Sequence, residues 1–219
     1  MNRSKEKRVQ RRERRRAQTR SEIIDVAREM LLQSGVSGLT IDAVAKELEL
    51  TKPAIYYYFK NKQALVLELV ITLLEDEVAA VESAVASTDG ARTAVEALMR
   101  AFFTHYASRM PTFRLIYLQM QILGPQLFGL TPDQLERMRP LNDRIYGRVE
   151  ALIGAAQRRG ELTPRIHPRQ AAVAAHTAVI GLLTYKGLAE SAGDPLRHSD
   201  TQMLDTLCTL HTAIFDGEP

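Results

Sequence analysis

The stretch TKPAIYYYFKNK, Thr51–Lys62, decides the reading of this chain. Three tyrosines and a phenylalanine stand in a row, opened by Thr-Lys-Pro and closed by Lys-Asn-Lys. A buried strand would accept the aromatics, but the flanking lysines and the helical periodicity on both sides argue for a helix. Thr51 is placed as its N-cap, and Pro53 lies in the first turn, where a missing N–H costs nothing. Ile55 and Phe59 then face inward, leaving tyrosines free to lie on nucleic acid.

Working outward, two more short helices precede this one. Thr19 with Glu22 reads as a capping box, after which Ile23, Ala27, Met30 and Leu31 share one face up to Gly35. A second helix starts at Thr40, with Ile41, Val44, Ala45 and Leu48 at i, i+3, i+4, i+7. Only Glu49 and Leu50 part it from the third, the spacing of a helix-turn-helix, whose second helix enters the major groove. On that reading Lys52, Pro53, Ala54 and Tyr57 meet base edges, while Tyr56 and Lys62 suit phosphate oxygens. Thr40 and Thr51 set helix N-termini whose free amides suit a phosphate.

The run LTIDAVAKELELTKPAIYYYFKNKQAL, Leu39–Leu65, resembles the DNA-binding domain of the TetR (tetracycline-repressor-like) family. The shared features are the opening Leu-Thr, the Ala-x-x-Leu of the second helix, the turn, and then Tyr56, Phe59, Lys62 and Ala64-Leu65. The resemblance implies base contacts from Lys52, Pro53, Ala54 and Tyr57, and phosphate contacts from Thr40, Tyr56 and Lys62. One departure stands out: the family's turn usually carries glycine, and this chain has Glu49. Glycine serves a positive φ there, so either the turn is built another way or Glu49 is strained.

Charge is unevenly spread. Residues 1–20 hold ten Lys or Arg against Glu6 and Glu13, a net +8, leaving −5 on the remaining 199 residues. Such an arm on an acidic body points to a polyanionic partner, contacted along its backbone or in the minor groove, with a solvated tail as the plain alternative. No breaker interrupts Glu6–Arg20, so part of the arm can be helical. No apolar run follows the basic residues as a secretory or twin-arginine signal requires, and the first 20 residues are too poor in apolar side chains for a transit peptide. The uncharged run Gln170–Tyr185 is shorter than a bilayer span. The single cysteine, Cys208, cannot make an internal disulfide. A cytoplasmic protein is the expectation.

Beyond Asn61 a long pattern runs without Pro or Gly to about Ser87, followed by helical patterns near 91–109, 112–123, 131–159, 168–190 and 199–215, with a kink expected at Pro140. The expected fold is therefore all-α: an N-terminal three-helix helix-turn-helix domain plus a larger helical ligand-binding and dimerisation domain, about nine helices in total. The expected division is a basic arm over 1–18, the helix-turn-helix domain over 19–66, and an effector-binding and dimerisation domain over 67–219.

The larger domain carries no P-loop, no Gly-rich dinucleotide turn, no His-Glu-x-x-His and no cysteine cluster, so neither catalysis, a cofactor nor a metal is expected. Its aromatic and Met-rich stripes suit either core or an apolar cavity with sparse polar groups. In the family such a pocket binds a small effector, and Phe103, Tyr106, Tyr117, Met120, Tyr146 and His176 are the candidates here. The resemblance also implies a homodimer through the last two helices. Ala171, Ala172, Ala174, Ala175, Ala178 and Gly181 offer a small-residue face, and Leu204, Leu207, Leu210 and Phe215 its apolar complement.

The function expected is a ligand-responsive, sequence-specific transcriptional regulator, a repressor released from a palindromic operator by a small apolar or weakly polar effector. A sequence-nonspecific architectural DNA binder using the arm, or a helical lipid- or metabolite-binding protein, are the alternatives.

Overall fold

The computed structural model describes residues 3–119, 131–162, 166–193 and 198–215, and every described element is helical. The chain divides into two compact units, residues 1–72 with 118–134, and residues 73–117 with 135–219.

In the first unit α1 spans Arg3–Gly38, α2 Ile41–Glu47 and α3 Lys52–Tyr58. The expected start of α1 at Thr19 is not observed. The helix runs unbroken through that position, because no Pro or Gly interrupts the i→i−4 ladder and Glu22 is engaged from outside the capping box, accepting from Gln18 Nε2 at 3.0 Å. At the expected end, Gly35 takes φ 66°, ψ −172°, which breaks the helical path inside the element before it closes at Gly38. Ile23, Ala27 and Leu31 of α1, Ile41, Val44 and Ala45 of α2, and Ile55 with Phe59 after α3 are buried together, forming the small core the periodicity predicts.

Thr40 caps α2 by accepting from Ala43 N at 3.1 Å, and Thr51 caps α3 by accepting from Ala54 N at 3.3 Å. Between them α2 closes with Glu49 N donating to Lys46 O at 3.2 Å and Leu50 N donating to Ala45 O at 2.8 Å. That bond pair is the Schellman arrangement, which wants a left-handed residue at its centre. Glu49 occupies it at φ 54°, the sole positive-φ residue other than glycine among those described. Of the two alternatives open in the sequence, the strained glutamate is the one observed.

Helix α4, Lys62–Ala86, begins with Asn61 Oδ1 accepting from Ala64 N at 2.8 Å, and the boundary between units falls within it. In the second unit α5 spans Ala91–Ala107, α6 Met110–Phe113 with a π-helical continuation to Gln119 that leaves the unit after Tyr117, α8 Arg139–Arg158, α9 Pro168–Ala192 and α10 Asp200–Thr212 with a terminal 3₁₀ turn. The short α7, Pro132–Glu136, precedes α8. The expected helix over 131–159 is thus two helices: Pro140 sits in the first turn of α8 rather than kinking its interior, since a proline with no N–H fits there without losing a bond. Ser199 caps α10 as expected, accepting from Gln202 N at 3.2 Å.

Helices α5 and α9 form the centre of this unit, packed on each other and on α8, with α10 against both. Ala94, Val95, Leu98, Met99, Phe102 and Tyr106 supply the buried stripe of α5 at i, i+3, i+4 spacing. By length and apolar composition α9 could cross a membrane, and 44% of its apolar window is buried inside the protein. Lys186 of α9 reaches across to Asp200 Oδ2 at 2.8 Å, fixing the start of α10.

Candidate functional site

One face of the first unit gathers the residues expected to meet DNA. Lys52 and Pro53 open α3 and are exposed, Ala54 is half-buried, and Tyr56 and Tyr57 show 50% and 59% of their surface. Both rings lie open on a capped helix rather than packed in the core. Tyr58 turns inward and takes an edge-on contact from Tyr57, with centroids 5.1 Å apart. Thr40 and Thr51 lie exposed at the helix starts, and Lys62 is half-buried in the first turn of α4. Lys52 is not presented as a bare cation: its Nζ lies 2.6 Å from Asp42 Oδ1. The arm also reaches this face. The Arg16 guanidinium lies 5.3 Å over the Tyr57 ring, and Arg20 lies 5.1 Å over Phe59 while pairing with Glu68 at 2.8 Å.

The second unit contains a buried polar cluster that the sequence only half revealed. Tyr106 donates to Glu77 Oε2 at 2.7 Å, and Tyr117 donates to both carboxylate oxygens at 2.8 and 2.9 Å. His176 Nε2 sits 4.0 Å from Glu77 Oε1 without a hydrogen bond, while its Nδ1 bonds the Tyr146 hydroxyl. Phe102 fills the centre, its ring 4.1 Å from that of His176, 5.1 Å from Tyr106 and 5.4 Å from Tyr117. Four of the six predicted pocket residues, Tyr106, Tyr117, Tyr146 and His176, therefore meet. Phe103 is buried on α5 but takes no part in the ring cluster among the described residues, and Met120 lies outside the described residues.

Burial sets the electrostatics of the cluster. Desolvation pushes the Glu77 carboxyl up to about 7, against the opposing pull of the Tyr106 and Tyr117 hydroxyls. His176 is held down to about 4 by burial, so at neutral pH its approach to Glu77 is not an ion pair. The Tyr106 and Tyr117 hydroxyls are raised far above their usual value, first by desolvation and then by Glu77, and so remain donors.

Glu77 is the residue sequence reasoning missed. A signal was present: it stands four residues after Leu73 and four before Val81, both buried, so an acid occupies a position that helical period reserves for an apolar side chain. Elsewhere in this unit a surface groove of about 460 Å3 runs between α4 and α5, walled by Ala80, Ala84, Ala97 and Ala101, and none of the six predicted residues lines it.

The expected dimer surface is partly used within the unit itself. Ala172, Ala175 and Leu204 are buried, whereas Ala174, Gly181 and Leu210 are exposed, along with Val173, Tyr185, Leu188 and Ile214. Ile166, Ala171, Ala174, Leu210 and Ile214 line a hollow of about 310 Å3 on this face.

Fold and exposed α3 together define a helix-turn-helix protein with a separate helical body. Residues 23–69 match the family model for bacterial regulatory proteins, tetR family. The chain is similar to the class D tetracycline repressor of Escherichia coli and the class H tetracycline repressor of Photobacterium damsela subsp. piscicida, each 38% identical over 55 residues. Those alignments take in 25% of this chain and 25% of each repressor.

Solved structures extend the likeness in fold over nearly the whole length. A TetR/AcrR family regulator from Thermobifida fusca superposes with TM-score 0.66 at 22% identity, covering 89% of this chain and 97% of that one. The regulator FadR of Bacillus subtilis, solved with stearoyl-CoA, gives 0.68 at 14% identity over 88% and 97%.

Proposed function

We propose that this protein is a sequence-specific, ligand-responsive transcriptional regulator, more specifically a repressor, acting as a cytoplasmic homodimer on a palindromic operator. The observation that carries the reading is the capped α3 with Lys52, Pro53, Tyr56 and Tyr57 open to solvent, inside the segment that matches the family. Lys52 has the reach to donate to guanine O6 or N7, Pro53 and Ala54 can pack on a thymine methyl, and Tyr57 reads a base. Thr40, Thr51, Tyr56 and Lys62 hold phosphates and so set the register.

The effector enters the second unit beside Tyr106, Tyr117, Tyr146 and His176, with Phe103 as a further wall residue. An apolar or weakly polar compound fits walls that are mostly aromatic, and the stearoyl-CoA bound by the similar FadR supports an acyl or other apolar group. Pairing of two copies through the exposed faces of α9 and α10 sets two recognition helices about 34 Å apart, one DNA turn. Effector binding acts through α4, and a coupling of about 1–3 kcal/mol changes operator affinity roughly 5- to 150-fold. No catalytic step is part of this reading.

The test is selection of bound duplexes from a random DNA pool near physiological salt. An enriched palindrome supports the dimeric regulator. Binding without enrichment replaces it with a nonspecific architectural role, and absence of binding replaces it with a helical ligand-binding protein.

A further inference from the structure

Helix α1 carries about five turns that nothing in its own unit requires. From Glu6 to Gln18 every residue is exposed, and the apolar side chains among them are only Val9 and Ala17. Their charges are ordered around the helix. Glu6, Gln10, Glu13 and Ala17, at i, i+4, i+7, i+11, form a single stripe that is acidic or neutral, while Lys7, Arg8, Arg11, Arg12, Arg14, Arg15 and Arg16 occupy the rest of the circumference.

Such a helix works against itself in water. Lys7–Arg11, Arg8–Arg12, Arg11–Arg15 and Arg12–Arg16 are like-charge pairs at i, i+4, each of which weakens a helix. A polyanion laid along it sets a favourable charge beside each member of those pairs and offsets their repulsion. The arm is also tied to the recognition helix rather than free of it: Arg16 stacks on exposed Tyr57 and Arg20 on Phe59. From Arg16 back to Arg3 the helix rises about 20 Å, more than the roughly 12 Å width of a major groove.

We propose that residues 3–16 form a second DNA-contacting element, a basic helix that starts at the recognition helix and grips phosphates flanking each half-site, with Arg8, Arg11, Arg12 and Arg15 as its main contacts. It rests on the DNA-binding reading above and adds affinity and footprint, not base choice. Phosphate contacts carry no sequence information. An anionic membrane surface is the lesser candidate, since an interfacial helix needs an apolar face to insert and this one has none.

The test is fluorescence anisotropy of the full chain on its selected duplex, titrated with salt, against the quadruple variant Arg8→Ala, Arg11→Ala, Arg12→Ala, Arg15→Ala. All four residues are exposed, so the variant keeps its fold, checked by circular dichroism and unfolding midpoint. The slope of log affinity against log salt should fall by roughly 3 to 4 per bound arm, because each neutralised phosphate contributes about 0.9. The enriched motif should stay the same, and nuclease protection should shorten at both ends of the site.

An unchanged slope and footprint overturns the proposal while leaving the regulator reading intact; loss of any enriched motif in the unaltered chain strikes that reading instead. Vesicles of mixed phosphatidylserine and phosphatidylcholine form the second arm of the experiment. Binding to them that the quadruple variant abolishes, with no change on DNA, reassigns the helix to a lipid surface and overturns the proposal too.

Discussion

Lys52 Nζ lies 2.6 Å from Asp42 Oδ1, so the first residue of the recognition helix is ion-paired to the helix before it. Both side chains are more than half exposed, and such a pair adds little to stability. Its consequence is for binding. Lys52→Ala should cost about 1–3 kcal/mol of discrimination at one base position in a competition assay. Asp42→Asn should instead raise affinity for the operator at low salt, by releasing the lysine and removing a carboxylate from the phosphates, with stability unchanged within about 0.5 kcal/mol. Equal base preference in Lys52→Ala and the unaltered chain would remove Lys52 from the base-reading set.

Glu49 at φ 54° holds a backbone position that suits glycine. A left-handed non-glycine residue costs about 1–2 kcal/mol, partly offset by the extra chain entropy of glycine in the unfolded state. Glu49→Gly should therefore stabilise the protein by about 0.5–1 kcal/mol in urea unfolding, read as a higher midpoint at constant slope. A lower midpoint would show that the glutamate side chain makes up for its backbone strain.

Glu77 and His176 give the second unit two opposed pH dependences. The Glu77 carboxyl is raised from 4.5 to about 7, so the stability it contributes is complete below pH 4.5 and is lost as pH rises through 7. The His176 imidazole is lowered from 6.5 to about 4, so its contribution is complete above pH 6.5 and is lost as pH falls through 4. Each amounts to about 3 kcal/mol, and between pH 4.5 and 6.5 they largely cancel. Glu77→Gln should expose the His176 slope, with stability climbing from pH 4 to 6.5, and His176→Gln should expose the reverse slope up to pH 7. Superimposable unfolding midpoints across pH for all three proteins would refute this assignment.

Leu188 and Leu210 are 66% and 64% exposed on the face expected to pair two copies. A charge there is harmless to an isolated chain but intolerable in an apolar interface. Leu188→Glu or Leu210→Glu should convert the protein to a monomer by sedimentation velocity and weaken operator binding by roughly 100-fold or more, since two linked half-sites become one. A variant that still sediments as a dimer would move the interface elsewhere.

The proposed effector wall is tested through Tyr117, which bonds Glu77 from 40 residues away. Tyr117→Phe removes one donor from a buried carboxylate and should cost about 1–3 kcal/mol of stability. It should also shift the effector concentration that releases operator DNA, once an effector is found. Unaltered release would take Tyr117 off the pocket wall.

The helix-turn-helix unit was legible because its determinants are local. Thr40 and Thr51 bond amides three residues on, Ile41, Val44 and Ala45 repeat at helical spacing, and the two-residue turn fixes the order of the helices. Even the strain at Glu49 could be located, since only one position in the turn calls for a left-handed residue. A local signal misled at Thr19, where helix continuation from an unbroken basic arm prevailed over a capping box. What the tertiary structure alone decided is non-local. Glu77 meets Tyr106 and Tyr117 across 29 and 40 residues of chain, and His176 approaches it from a helix 99 positions further on. Sequence periodicity fixes which side of a helix is buried, but not which residue of another helix it finds there. For Glu77 burial itself raises the carboxyl, and the two tyrosines it finds there supply the hydrogen bonds that oppose that rise.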